Sequence, residues 1–375
     1  MAASVLSSRA SQVAQFARER AAVLDPALLA LIGSLMMIGL VTLYSAGADF
    51  PWRFTDQLRN FAVAAAVMLV AATLPPLAWM RLAVPLYLAG VLLLVAVEVA
   101  GVTVKGATRW LDVGVARIQP SELMKLALPL MLAWYFHRRE GALRPLDFAL
   151  AAVIVAVPVV LILKQPDLGT AALVLAAGTF VIFFAGLPWK WIFAGVAGFL
   201  ALLPVAWTLM HDYQRERVLT LIDPSVDPLG KGFHTLQAMI AIGSGGVFGK
   251  GWMQGTQTHL EFIPERTSDF IFAVYSEEFG LVGNLVLLAL FFGLVFRALS
   301  IASGAATLFA RLLAASIALI IFTYAFVNMG MVSGILPVVG VPLPFISYGG
   351  TALVTLGLAC GMLMSIQRHR KLVQS

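Results

Sequence analysis

From Gly280 to Ser300 the chain reads GLVGNLVLLALFFGLVFRALS, with Arg297 its sole charge. About 20 apolar residues wound as a helix are long enough to cross a hydrocarbon layer of about 30 Å. Comparable runs recur near 26–46, 58–74, 79–101, 119–136, 147–164, 168–186, 189–209, 309–331 and 346–367. In lipid, backbone N–H and C=O groups must be satisfied internally, so continuous apolar runs select helices. The expected fold is an all-α polytopic integral membrane protein of about ten transmembrane helices. Residues 1–25 read as a cytoplasmic N-terminal tail, 26–367 as the membrane domain and 368–375 as a cytoplasmic C-terminal tail. A large extracytoplasmic loop, 210–279, separates the seventh and eighth runs.

Composition excludes several classes. Only 12% of residues are charged, against about 25% in soluble domains. Cys360 is the sole cysteine, which rules out an internal disulfide and a Cys-based metal or redox motif. The five histidines, His137, His211, His234, His259 and His369, show no metal-ligand spacing. The N-terminal residues are mildly basic and lack the apolar core of a signal peptide. A net charge of +6 reflects basic flanks of the spans, and nucleic acid is not an expected partner.

The same bases orient the chain. With the N-terminus inside, cytoplasmic segments hold Arg9, Arg18, Arg20, Arg81, Arg138, Arg139, Arg144, Lys190, Arg297, Arg311, Arg368, Arg370 and Lys371 with few acids. The excess persists when the long loop is set aside, so both termini are expected in the cytoplasm. The informative polar residues then face outward, in 102–118, in the turn 164-KQPDLGT-170 and in the long loop.

Each outer residue has a structural and a chemical reading. Asp269 follows Thr267 and Ser268 and precedes an apolar helix, a setting for a helix cap or for a reactive carboxylate. A helix running from Phe270 to Arg297 would be about 42 Å long, so Gly280 is expected to punctuate it. Glu277 and Glu278 then sit at the outer face, paired with Arg266 or with backbone. Lys125, three residues after Glu122, fits an ion pair or a phosphate ligand. Arg109 beside Trp110 fits an interfacial anchor. Asp167 fits a cap on the next span, and Arg215 and Arg217 a solvated face. The stretch 243-GSGGVFGKG-251 lacks Walker A spacing. Prolines and the glycine pair in 336-LPVVGVPLPFISYGGTALV-354 suggest backbone that lines a cavity.

Five stretches, 106-GATRWLDVGVARIQPSELMK-125, 164-KQPDLGTA-171, 227-DPLGKGFHTLQAMIAIGSGGVFGKGW-252, 261-EFIPERTSDFIFAVYSEEFGLVG-283 and 329-MGMVSGILPVVGVPLPFISYGG-350, together resemble the SEDS family (shape, elongation, division and sporulation). Gly255-Thr256-Gln257 and Pro264-Glu265-Arg266 resemble its elongation type more than its division type. Thr267-Ser268-Asp269 stands where many members read His-Thr-Asp. The resemblance implies a peptidoglycan glycosyltransferase polymerising lipid II, with undecaprenyl diphosphate as leaving group. It makes Asp269 the general base and gives Arg109, Trp110, Glu122, Lys125, Asp167, Arg215, Arg217 and Lys250 as candidate substrate-binding residues. The implied partner is a class B penicillin-binding protein, a transpeptidase, within the rod-elongation complex. No cofactor is required by the sequence. Divalent metal (Mg or Mn) is compatible with a diphosphate leaving group, although no carboxylate cage is visible. A lipid II flippase and a non-catalytic scaffold are the rival readings.

Overall fold

The computed structural model describes residues 24–104, 107–112, 114, 117–141, 143–210, 215, 231–259, 263 and 265–370. Its helices are α1 (Pro26–Ala46), α2 (Pro51–Thr73), α3 (Pro76–Ala100), α4 (Pro120–His137), α5 (Pro145–Lys164), α6 (Leu168–Phe184), α7 (Trp189–Leu209), α8 (Lys231–Gly245), α9 (Thr256–His259), α10 (Ile271–Ser303), α11 (Leu308–Val332) and α12 (Thr351–Arg368). The helices α1 to α5 each open on proline. At that position the missing N–H has no intrahelical acceptor and the fixed φ already suits a helix.

Six of these helices, α1, α3, α5, α10, α11 and α12, are long and apolar enough to cross a membrane. Large apolar side chains stand outward on them, among them Leu92 and Phe296, as a hydrocarbon solvent favours. The interior is built around α4, which buries residues on every side, with α11 and α12 against it. Close approach relies on small residues. A Cβ on Gly357 or Gly361 of α12 would stand 2.6 Å from Ala64 O and 2.4 Å from Met68 O on α2, the small-residue spacing that lets apolar helices touch.

The all-α expectation needs one correction. Residues between α3 and α4 form a three-stranded antiparallel sheet, β1 (Val102–Val104), β2 (Ala107–Asp112) and β3 (Arg117–Ile118), in that order. β-Branched and aromatic side chains favour the extended backbone there.

The run around Glu277 is continuous in register but broken at Gly280, whose φ of 63° and ψ of −161° interrupt α10. The break frees backbone groups, and 246–251 supplies their partners. Lys250 N and Gly251 N donate to Glu277 O and Glu278 O, each at 3.0 Å. Leu281 N and Val282 N donate to Gly246 O and Val247 O at 2.9 and 3.0 Å. The glycine-rich segment is therefore the complement of a kink.

The two acids have structural partners. Glu277 is fully buried and accepts from Lys250 Nζ at 2.7 Å and from Gln257 N at 3.0 Å, while Glu278 accepts from Ser45 Oγ. Arg266 has partners of its own. It pairs with Asp49 and donates to Ala46 O and Thr258 O at 2.8 and 2.7 Å, because the kink turns the acids toward 250–258.

Candidate active site

A cavity of about 490 Å³ opens where four helices begin, and its walls include Arg109, Trp110, Glu122, Lys125, Asp167 and Asp269. Strand β2 carries Arg109 and Trp110 to its rim. The first two turns of α4 provide Glu122 and Lys125, Asp167 precedes α6, Asp269 precedes α10, and Gly349, Thr351 and Ala352 mark the start of α12. Each helix start presents N–H groups and the positive end of a dipole worth about half a charge. Four such ends at one cavity favour an anionic occupant.

Lys125 and Glu122 are 2% and 8% exposed. Lys125 Nζ lies 2.5 Å from Glu122 Oε1 and 4.8 Å from the Tyr324 ring centroid. The other carboxylate oxygen, Glu122 Oε2, is buried without a hydrogen bond. Asp167 does several jobs at once. Its Oδ1 accepts from Thr170 N at 3.1 Å as the cap of α6, and its Oδ2 accepts from Gln119 Nε2 at 3.1 Å. Arg109 Nη1 stands 3.3 Å from the same Oδ2, with about a third of the arginine side chain accessible. Arg109 is thus a cation that a substrate can reach, whereas Lys125 is a neutralised floor.

The opposite wall is 338–342 with Tyr348, and a Cβ on Gly340 would lie 3.3 Å from Asp269 Oδ2. Asp269 is not the N-cap position of α10, which falls on Phe270 and carries no side-chain cap. The helix starts one residue later than the sequence suggests. Thr267 Oγ1 instead accepts from Arg53 Nη1 at 2.6 Å, and the Arg53 guanidinium lies over Phe50 and near Tyr348. Burial and Asp56 push the Tyr348 phenol up, against the opposing effect of Arg53.

Two other candidates lie elsewhere. Lys250 is engaged by Glu277 and Thr256, away from the cavity. Arg215 donates to Trp207 O and Thr208 O at 3.0 and 2.8 Å. Arg217 lies outside the described residues. Cavity residues that sequence reasoning passed over include Gln119, Ser268 and Thr351, uncharged side chains with no distinguishing spacing.

Among the described residues, no three His, Cys, Asp or Glu side chains converge as a metal site. Glu122 and Asp167 already face cations, so these residues do not fit a resident metal.

The FtsW/RodA/SpoVE cell cycle protein family matches residues 22–372. The chain belongs to this family. It is 48% identical over 351 residues to the peptidoglycan glycosyltransferase MrdB of Escherichia coli, covering 93% of this chain and 95% of that one. It is 31% identical to the peptidoglycan glycosyltransferase RodA of Treponema pallidum, covering 92% and 98%. Among solved structures, a chain from a peptidoglycan synthase complex, described as coordinating polymerization and crosslinking, superposes with a TM-score of 0.81 at 34% identity. That match covers 93% of this chain and 98% of the other. Thermus thermophilus RodA superposes at 0.71 and 31% identity, covering 92% and 97%.

Proposed function

We propose that the cavity polymerises lipid II into β-1,4 glycan strands during cell elongation. The chain is a peptidoglycan glycosyltransferase, the activity that names its relatives across almost their whole length. The observation that carries the mechanism is the meeting of Asp269, Arg109 and four helix N-termini in one cavity.

Asp269 takes the proton of the acceptor GlcNAc 4-hydroxyl as that oxygen attacks C1 of the donor MurNAc. The bond from C1 to the diphosphate oxygen breaks in the same displacement, inverting an α-linked donor into a β-linked product. Negative charge grows on undecaprenyl diphosphate, where the accessible Arg109 guanidinium and the helix ends stabilise it. Trp110 at the rim offers an apolar face to sugar or lipid. The Lys125–Glu122 pair and Asp167 hold the floor and Arg109 in place. A divalent cation, Mg or Mn, would arrive with the diphosphate and not on a cage of protein ligands.

The ten-span reading gains support from the common side of these helix starts. Counting α1 to α7 and α10 to α12 as spans, α4, α6, α10 and α12 are even-numbered and run in one direction. Their N-termini share one side, which faces the cell exterior or periplasm when both chain ends are cytoplasmic. The outer position suits a substrate consumed in wall growth. The structural relative that couples polymerization to crosslinking supports a class B penicillin-binding transpeptidase as partner.

The test is polymerisation of labelled lipid II by the purified chain, with and without that transpeptidase and with Mg or Mn. Glycan strands are expected. No strands under any of these conditions would return the protein to a flippase or scaffold role.

A further inference from the structure

We infer that Asn328 is a positioning residue that holds Asp269 against the facing wall of the cavity, an inference that rests on Asp269 being the base. Asn328 lies on α11, is 0% exposed and is not itself among the residues that line the cavity. Its Nδ2 donates to Asp269 O at 2.9 Å and to Val341 O at 2.7 Å. One amide group therefore ties together two segments that line the cavity, 265–270 and 338–342. Two carbonyl acceptors also fix which way the amide points, since Oδ1 in that place would face two oxygens.

Asp269 is the third of three clamped carbonyls. Thr267 O accepts from Tyr348 N at 2.9 Å, Ser268 O from Ser347 Oγ at 2.7 Å, and Asp269 O from Asn328. Ser347 is itself held, with Leu343 N donating to its Oγ at 2.7 Å and Gln57 Nε2 to its carbonyl at 3.1 Å. Each donor comes from outside the clamped segment. The backbone before α10 is thus fixed residue by residue from α11 and 343–348.

A simple packing role does not account for Asn328. Its Oδ1 is buried with no hydrogen-bond partner, an unfavourable state that an apolar side chain of similar size would remove. Such a side chain would, however, take their donor from one buried and one part-buried carbonyl and uncouple the two segments. Because a Cβ on Gly340 would lie only 3.3 Å from Asp269 Oδ2, relative movement of the two segments shifts the base from its proton.

The experiment measures steady-state polymerisation of labelled lipid II by the full chain with its transpeptidase partner. Asn328→Leu, Ser347→Ala and Asp269→Asn are compared with wild type. A displacement near 1 Å lowers catalysis by about 100-fold. Asn328→Leu should therefore lose about 10- to 100-fold in kcat with KM within about twofold, and Ser347→Ala should lose less in the same direction. Wild-type kcat in a folded Asn328→Leu protein, or a change confined to KM, overturns the inference. If Asn328→Leu does not fold, Ser347→Ala decides, and an unchanged kcat there overturns it. An inactive Asp269→Asn beside fully active Asn328 and Ser347 variants removes only the positioning role. A fully active Asp269→Asn removes the base assignment and this inference together.

Discussion

Replacing Gly280 by alanine tests whether the kink in α10 organises 246–251 around it. A Cβ there would stand 2.3 Å from Gly249 N and 2.7 Å from Val247 O, both backbone atoms that cannot swing aside. The conformation, φ 63° and ψ −161°, belongs to a region open essentially to glycine, and a side chain there costs on the order of 1–3 kcal/mol. Pushing 246–251 away would also threaten the backbone bonds exchanged with Glu277, Glu278, Leu281 and Val282, each worth about 0.5–1.5 kcal/mol net. Gly280→Ala should therefore lose about 3–6 kcal/mol if most of these bonds break. Thermal unfolding in detergent should show a drop of several degrees. Gly243→Ala is the matched control, because nothing lies within 4 Å of a Cβ there and the residue sits in α8. It should be neutral or slightly stabilising. Equal melting temperatures for Gly280→Ala and wild type would refute the reasoning.

Two further perturbations address charge. Lys125→Met leaves Glu122 buried without its counter-charge and should cost about 3–5 kcal/mol, seen as a lower melting temperature; adding Glu122→Gln should recover most of that stability, and failure to recover would deny the coupling. At the other end of the bundle, Asp25 caps α1 through Leu28 N at 2.9 Å and pairs with Arg297 of α10. Burial pulls the Asp25 carboxyl up, but hydrogen bonds from Arg297 and Leu28 outweigh it and hold the carboxyl below the usual range. A lowered folded value means the unfolded chain binds more protons, so this stability is complete above about pH 4 and lost as pH falls through the folded value. Acidification should then lower the melting temperature of wild type more than that of Arg297→Gln, and parallel curves would contradict it.

Much of the bundle could be read from the sequence because lipid imposes a length and composition on every span. The run expected at 26–46 is α1 to the residue, Pro26–Ala46. The last run, expected from 346, starts at Thr351 instead, because 345–350 turns beneath the cavity before the helix begins. Gly280 was legible as a break, but its partner in 246–251 was not, since backbone exchange leaves no pattern in side-chain types. Strands β1 and β3, of three and two residues, are too short to show the alternation that marks a strand.

In the site, charged residues beside helix starts stood out, and Arg109, Glu122, Lys125, Asp167 and Asp269 share one cavity. Lys250 is a candidate through the resemblance alone, and the structure pairs it with Glu277. Asn328 and Ser347 act on main-chain carbonyls, so neither charge nor spacing marks them.

The central claim is that Asp269 removes the acceptor proton in this cavity. Asparagine in its place keeps the size and loses the basic oxygen. The direct measurement is glycan synthesis from labelled lipid II by wild type and Asp269→Asn, with lipid II binding and melting temperature measured on both. The account predicts strands from wild type and none from a folded mutant that still binds lipid II. Equal strand synthesis by the two proteins would contradict it.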